Sequence, residues 1–187
     1  MDTRQALLDH AAELIRTRGY SGFSYADLAE RVGIRKASIH HHFPAKEDLG
    51  LALVDQYISL FEQALADIGR QKITAGEALR AYAQLYRNSV EKGWGCLCGM
   101  LASEVEVVPP SVAVGVRRFM TMNLDWLSKL ISAGLARGEL AGGGNPADRA
   151  ASFLSICQGA LLVARSMQSP DSFDQAVANI LQTFELP

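Results

Sequence analysis

The stretch from Phe23 to Leu49 constrains this chain more than any other, because it spells two short helices joined by a tight turn. Ser24 stands three residues before Asp27, the spacing of a capping box at a helix start. Leu28 and Val32 give the first helix an apolar face, and Ala29 is small enough for a crossing helix to approach. Gly33 falls where the chain must turn, and glycine accepts positive φ without steric cost. A second helix is expected over residues 36–42, burying Ile39 and turning Lys36, Ser38, His40 and His41 to solvent. Two helices crossing steeply, the second polar, are the helix-turn-helix arrangement, whose second helix enters the DNA major groove.

The flanks extend the pattern. Leu7, Leu8, Ala11, Leu14 and Ile15 form an amphipathic first helix closed by Gly19-Tyr20, and His42-Phe43-Pro44-Ala45-Lys46-Glu47 leads into a fourth. With these residues, 4–49 resembles the DNA-binding domain of the TetR family of bacterial transcriptional regulators. The resemblance implies an all-α chain: a three-helix N-terminal helix-turn-helix domain (1–45) followed by a six-helix regulatory and dimerisation domain (46–187). It also implies double-stranded operator DNA as partner, repression as the usual outcome, a small-molecule effector and a cytoplasmic setting.

By position, Lys36, Ala37, Ser38 and His40 face the groove, with Arg35 and His41 beside them. Lys36 can donate to guanine O6/N7, Ser38 to either edge, and the Ala37 methyl can touch thymine. Lys46 and Ser24 stand at helix starts that suit phosphate contacts. The family usually carries Tyr where His40 stands, often contacting the DNA backbone; here His40 must do that work or the contact is lost, so an operator sequence borrowed from relatives does not transfer. His40, His41 and His42 do not read as a metal site, because adjacent helical residues diverge by about 100°.

The net charge of −2 is too small to signal a general polyanion binder. Residues 1–50 carry seven Lys/Arg, seven Asp/Glu and all four histidines, so a DNA-binding surface must be a local patch around Arg35, Lys36 and Lys46. No apolar run approaches the roughly 20 residues of a membrane span, and the start lacks the pattern of a secretory signal. Three cysteines make a disulfide framework unexpected.

Helical spacing accounts for most of the remainder. A long fourth helix is expected over 45–68 and a fifth after the cap Thr74. A short sixth follows over 98–105, and a seventh over 111–137 after Pro109-Pro110. An eighth opens at Asn145-Pro146 and runs to 167, and a last one starts at Ser169-Pro170. The eighth helix has apolar residues on more than one side, and Ala160, Ala164, Ala176 and Ala178 permit close packing. The last two helices, 146–167 and 170–185, are therefore either a hairpin closing a monomer core or, as the resemblance implies, a homodimer interface presenting two heads to a pseudo-palindrome.

Tyr57, Phe61, Tyr82, Tyr86, Trp94, Met100, Phe119, Met122, Trp126 and Cys157 supply aromatic and polarizable surface, with Glu104, Arg118 and Gln158 as candidate polar orienting groups. In the family such residues line a pocket for an apolar or amphipathic ligand. Each also reads as plain core packing. Gly95-Cys96-Leu97 resembles the start of the sixth helix in a subgroup of the family responsive to electrophiles and oxidants. A helix N-terminus favours the thiolate, which makes Cys96 a redox-sensing candidate, although cysteines are also commonly inert small hydrophobes.

No hydrolase, phosphate-loop or zincin motif is present, and no cofactor or metal is implied. An enzyme is not expected. The alternatives are a helical thiol peroxidase using Cys96, or a ligand carrier without DNA binding.

Overall fold

The computed structural model describes residues 2–185. Among them lie nine α-helices and no strand: α1 (Thr3–Arg18), α2 (Tyr25–Val32), α3 (Lys36–His42), α4 (Lys46–Arg70), α5 (Ala75–Val90), α6 (Leu97–Ala102), α7 (Pro110–Ala136), α8 (Pro146–Met167) and α9 (Pro170–Gln182). Contacts gather them into two compact units that do not follow the linear division 1–45 and 46–187. One unit joins the residues up to Leu60 with Leu97–Phe119; the other joins Phe61–Cys96 with the residues from Met120 onward. α4 and α7 each carry residues of both.

In the first unit, α1 starts at Asp2, whose side chain accepts from the Arg4 amide, and it buries Leu7, Leu8, Ala11, Leu14 and Ile15. Its end is abrupt. Gly19 adopts φ 84° and ψ 173°, a region open essentially to glycine alone. The capping box at α2 forms as its spacing requires, with the Ser24 side chain on the Asp27 amide and the Asp27 carboxylate on the Ser24 amide. Gly33 closes α2 in the left-handed region at φ 74°, which lets α3 leave at a new angle. α3 is held by one fully buried side chain, Ile39. The Tyr25 hydroxyl secures its exit, lying 2.9 Å from the Phe43 carbonyl and 2.7 Å from that of Ala45.

In the second unit, Thr74 and Glu77 form a second capping box at α5, and Asn145 caps α8 with Pro146 in the first turn. α8 and α9 pack together, and α5 packs on both. Leu79, Tyr82, Tyr86, Leu127, Ile131, Phe153, Cys157 and Phe173 form the core, each at most 2 % exposed. Burying an aromatic or branched side chain of this kind contributes roughly 1.5–3 kcal/mol. Arg149 ties the loop before α8 to the end of α9: it donates to the carbonyls of Ala141 and Thr183 and lies over the Phe184 ring at 4.0 Å. By length and composition α8 could cross a membrane. Seven of its residues, from Ala150 to Ala164, are instead buried in this core.

The expected boundaries hold within two residues for most helices. α6 is the exception: it starts at Leu97 and stops at Ala102, where 98–105 was the expected span. Residues 103–108 continue as tight turns, with the Glu104 carbonyl accepting from the Val107 and Val108 amides at 2.8 and 3.0 Å. Glycine at 99, three valines and the proline at 109 all weaken a longer helix.

Candidate nucleic-acid interface

α3 presents Lys36, Ala37, Ser38, His40 and His41 to solvent, and Arg35 stands exposed at its N-cap. The polar groups expected to read DNA are thus together on one short helix anchored from beneath by Ile39. His40 is the most constrained of them. Its Nδ1 lies 3.0 Å from the Pro44 carbonyl oxygen, and its ring meets the Tyr25 ring edge-on at 5.0 Å. His41 and His42 meet each other in the same way at 5.4 Å.

Two residues expected at phosphates have other engagements. The Ser24 hydroxyl takes part in the α2 cap: it lies 2.6 Å from Asp27 Oδ2 and accepts from the Ala26 and Asp27 amides. The Ser24 hydroxyl and the Ser24 amide, both donating to Asp27 Oδ2, hold the Asp27 carboxyl below the usual carboxylate range. Lys46 turns its ammonium inward, donating to the carbonyls of Tyr20, at 2.6 Å, and Phe23. It also lies 4.7 and 4.1 Å from the centres of their rings. Burial lowers the Lys46 pKa, against the opposing pull of Glu104 and Asp27.

Glu104, expected among ligand-orienting groups, is committed to the reading head instead. Its two carboxylate oxygens accept from the amides of Tyr20 at 2.6 Å and Ser21 at 2.9 Å. Burial alone would raise its pKa, but these hydrogen bonds and the charge of Lys46 outweigh burial and hold it low. Glu104 and Lys46 therefore grip the turn after α1 from two sides, one on its amides and one on its carbonyls. Sequence reasoning missed this clamp; its only local trace was Gly19, where a Cβ would lie 2.0 Å from Glu104 Oε1.

The residues expected to line a ligand pocket divide between the units. Tyr57, Met100, Glu104 and Phe119 belong to the first, where Tyr57 stacks on Phe119 at 5.1 Å. Phe61, Tyr82, Tyr86, Trp94, Met122, Trp126 and Cys157 belong to the second. There Tyr82 stacks on Trp126 at 5.7 Å, and Phe61 meets Tyr86 edge-on at 5.8 Å. Inside these rings lies a polar centre that the sequence did not announce. Asn123 is fully buried, its Oδ1 accepts from the Tyr82 hydroxyl at 2.7 Å, and the Tyr86 hydroxyl lies 3.2 Å from that of Tyr82. Burial raises the Tyr82 pKa above the usual phenol range. Trp94 is half-buried, with the Lys92 ammonium 4.8 Å from its ring centre.

All three cysteines are buried thiols. Cys96 immediately precedes α6, and Gln158 Nε2 lies 3.5 Å from its sulfur. Burial pushes the Cys157 thiol up to about 12.

Comparison with known proteins agrees with this geometry. The family described as bacterial regulatory proteins, tetR family, matches residues 7–53. The tetracyclin repressor-like C-terminal domain matches residues 75–180. A TetR-family transcriptional regulator from Agrobacterium tumefaciens has a similar structure, with a TM-score of 0.95, 35 % identity and 98 % of each chain covered. The HTH-type transcriptional repressor NemR of Escherichia coli K12 is 25 % identical over all of this chain and 96 % of its own. The structure of E. coli NemR, described as its reduced form, gives a TM-score of 0.88 at 24 % identity, covering 100 % of this chain and 99 % of that one. With one family description covering residues 7–53 and another more than half its length, the chain belongs to the TetR family of DNA-binding transcriptional regulators.

Proposed function

We propose that the protein is a repressor that binds a pseudo-palindromic operator as a homodimer and leaves it when a small apolar or amphipathic molecule binds the helical domain. The observation that carries this reading is α3, with its DNA-length polar side chains exposed and its one buried anchor beneath them. In functional terms the division is again 1–45 for reading and 46–187 for ligand and dimerisation. The long α4 leaves the head at Lys46 and supplies Phe61 to the aromatic cluster of the second unit. A ligand that fits better when these rings are repacked would shift the heads, because only differential affinity moves a two-state equilibrium. Asn123 and Tyr82 favour a ligand with one hydrogen-bonding group in an otherwise apolar body.

The solvent face of α8 supports the dimer. Ala151, Ser155, Gly159 and Val163 follow one another at four-residue spacing, flanked by exposed Leu162 and Met167. A Cβ on Gly159 would meet nothing within 4 Å, so the glycine serves no packing within the chain and leaves room for a second copy. The test is selection of duplexes from a random pool, followed by light scattering of the complexes. Wild-type protein should enrich an inverted repeat and bind it as a dimer. Val163→Glu should give a folded monomer with operator affinity reduced about a hundredfold, as two linked heads become one. Enrichment of no sequence would refute the repressor reading.

A second route to release is favoured by one contact, the Gln158 amide beside the Cys96 sulfur. Cys96 and Cys157 are both buried, and burial pushes the Cys157 thiol up. Operator release by hypochlorite should survive Cys157→Ser and disappear in Cys96→Ser, with both variants still binding DNA. An unchanged response in Cys96→Ser would leave the ligand route alone.

A further inference from the structure

The contact between His40 and Pro44 fixes what His40 can do at DNA. A carbonyl oxygen only accepts, so the His40 nitrogen 3.0 Å from it, Nδ1, must carry a proton. On a neutral ring Nε2 then holds only a lone pair. A phosphate also only accepts, so a neutral His40 has nothing to offer it. Protonation changes this, giving Nε2 a hydrogen and the ring a positive charge.

The position of His40 selects the partner. In a helix-turn-helix the N-terminal residues of the second helix meet base edges, and here those are Lys36, Ala37 and Ser38. His40 lies in the last turn of α3, the part of the helix that leaves the bases for the sugar-phosphate wall. A cation is also favoured at that end by the helix dipole. The Tyr25 ring holds the imidazole from α2, and the Tyr25 hydroxyl is turned to the Phe43 and Ala45 carbonyls. Lys36 and His41 flank it on its own helix, Tyr25 faces its ring from α2, and Asp48 at the start of α4 acts on Tyr25.

We propose that His40 is a proton-linked phosphate contact: each protomer takes up one proton as Nε2 closes on a DNA phosphate. This rests on the DNA-binding reading above and adds to it a dependence on pH. The bound state holds the proton more tightly than the unbound state. Affinity is therefore greatest at the acid end and is lost as pH rises. The added charge also displaces a counterion, so the salt dependence should steepen as pH falls.

The test uses the full-length protein and a duplex it has itself enriched from a random pool, with affinity read by fluorescence anisotropy at constant ionic strength. Between about pH 6 and about pH 8, where imidazoles generally titrate, wild type should weaken about tenfold or more, a charge-assisted hydrogen bond being lost in each protomer. His40→Gln should flatten that profile, and His10→Gln, on α1, should leave it as in wild type. His40→Arg should bind at about pH 8 as wild type does at about pH 6, because its charge is permanent. A wild-type profile that is flat, or one that survives in His40→Gln, overturns the proposal. Should His40→Gln misfold, two measurements still decide: the His40→Arg profile, and the long-range 1H–15N spectrum of the free wild type. A neutral ring protonated at Nε2 in that spectrum overturns the proposal. Failure of the pool to enrich any duplex would count against DNA reading itself and is distinct from all of these outcomes.

Discussion

Gly19→Ala is expected to destabilise the reading head by about 3 kcal/mol, more than a single added methyl would cost on most surfaces. Two effects combine. Alanine at φ 84° and ψ 173° is strained whatever surrounds it, and its Cβ would occupy the place of Glu104 Oε1. The carboxylate would have to leave the Tyr20 and Ser21 amides, and Lys46 would lose its nearby counter-charge. For a chain of this length the melting temperature should fall by roughly 6–12 °C, with hydrogen exchange accelerated at Tyr20 and Ser21. A double-mutant cycle with Glu104→Ala separates the causes. If Gly19→Ala costs as much without Glu104 as with it, the clash contributes nothing and the clamp is misjudged. The clamp also has a pH signature. Glu104 is held below its ordinary value in the folded chain, so its contribution is complete above the ordinary glutamate range and is lost as pH falls through the lowered value.

Asn123→Ala should cost about 3 kcal/mol in the second unit, from a small cavity and from a buried hydroxyl deprived of its best acceptor. Tyr82 is completely buried and would keep only its 3.2 Å contact with Tyr86. Tyr82→Phe should cost less, about 1 kcal/mol, because Asn123 can turn within the space released. Chemical denaturation of the three proteins decides the order. An Asn123→Ala variant within 1 kcal/mol of wild type would mean that the polar centre does not organise this core. Such a result would also weaken the case that Asn123 orients a ligand there.

What was legible in the sequence was what is local along the chain. Ser24 with Asp27, Thr74 alone, and Asn145 with Pro146 announced three helix starts, because a cap acts within three residues of its own position. Ile39 and its exposed neighbours could be placed from helical spacing alone. The clamp could not be. Glu104 reaches amides 83 and 84 positions away, and within its own stretch of chain it reads as a polar group on the sixth helix, free to orient a ligand. Lys46 misled for the opposite reason: its place at the head of α4 suits a phosphate, yet two backbone carbonyls lie within its reach. Asn123 was hidden by its setting, one amide in a long apolar helix whose partner Tyr82 is 41 residues earlier.

The first unit is assembled from two stretches of chain separated by 36 residues of the other, Phe61–Cys96. Anyone building hybrid regulators would be tempted to graft residues 1–45 onto a foreign sensor. That cut would discard Glu104, together with Asp55 and Ser111, whose partners Arg118 and Glu47 also lie within this unit. A portable DNA-reading module from this protein would have to travel as two pieces, with the crossovers placed inside α4 and α7. Shuffling by a single junction would leave the turn after α1 without the carboxylate that holds its amides.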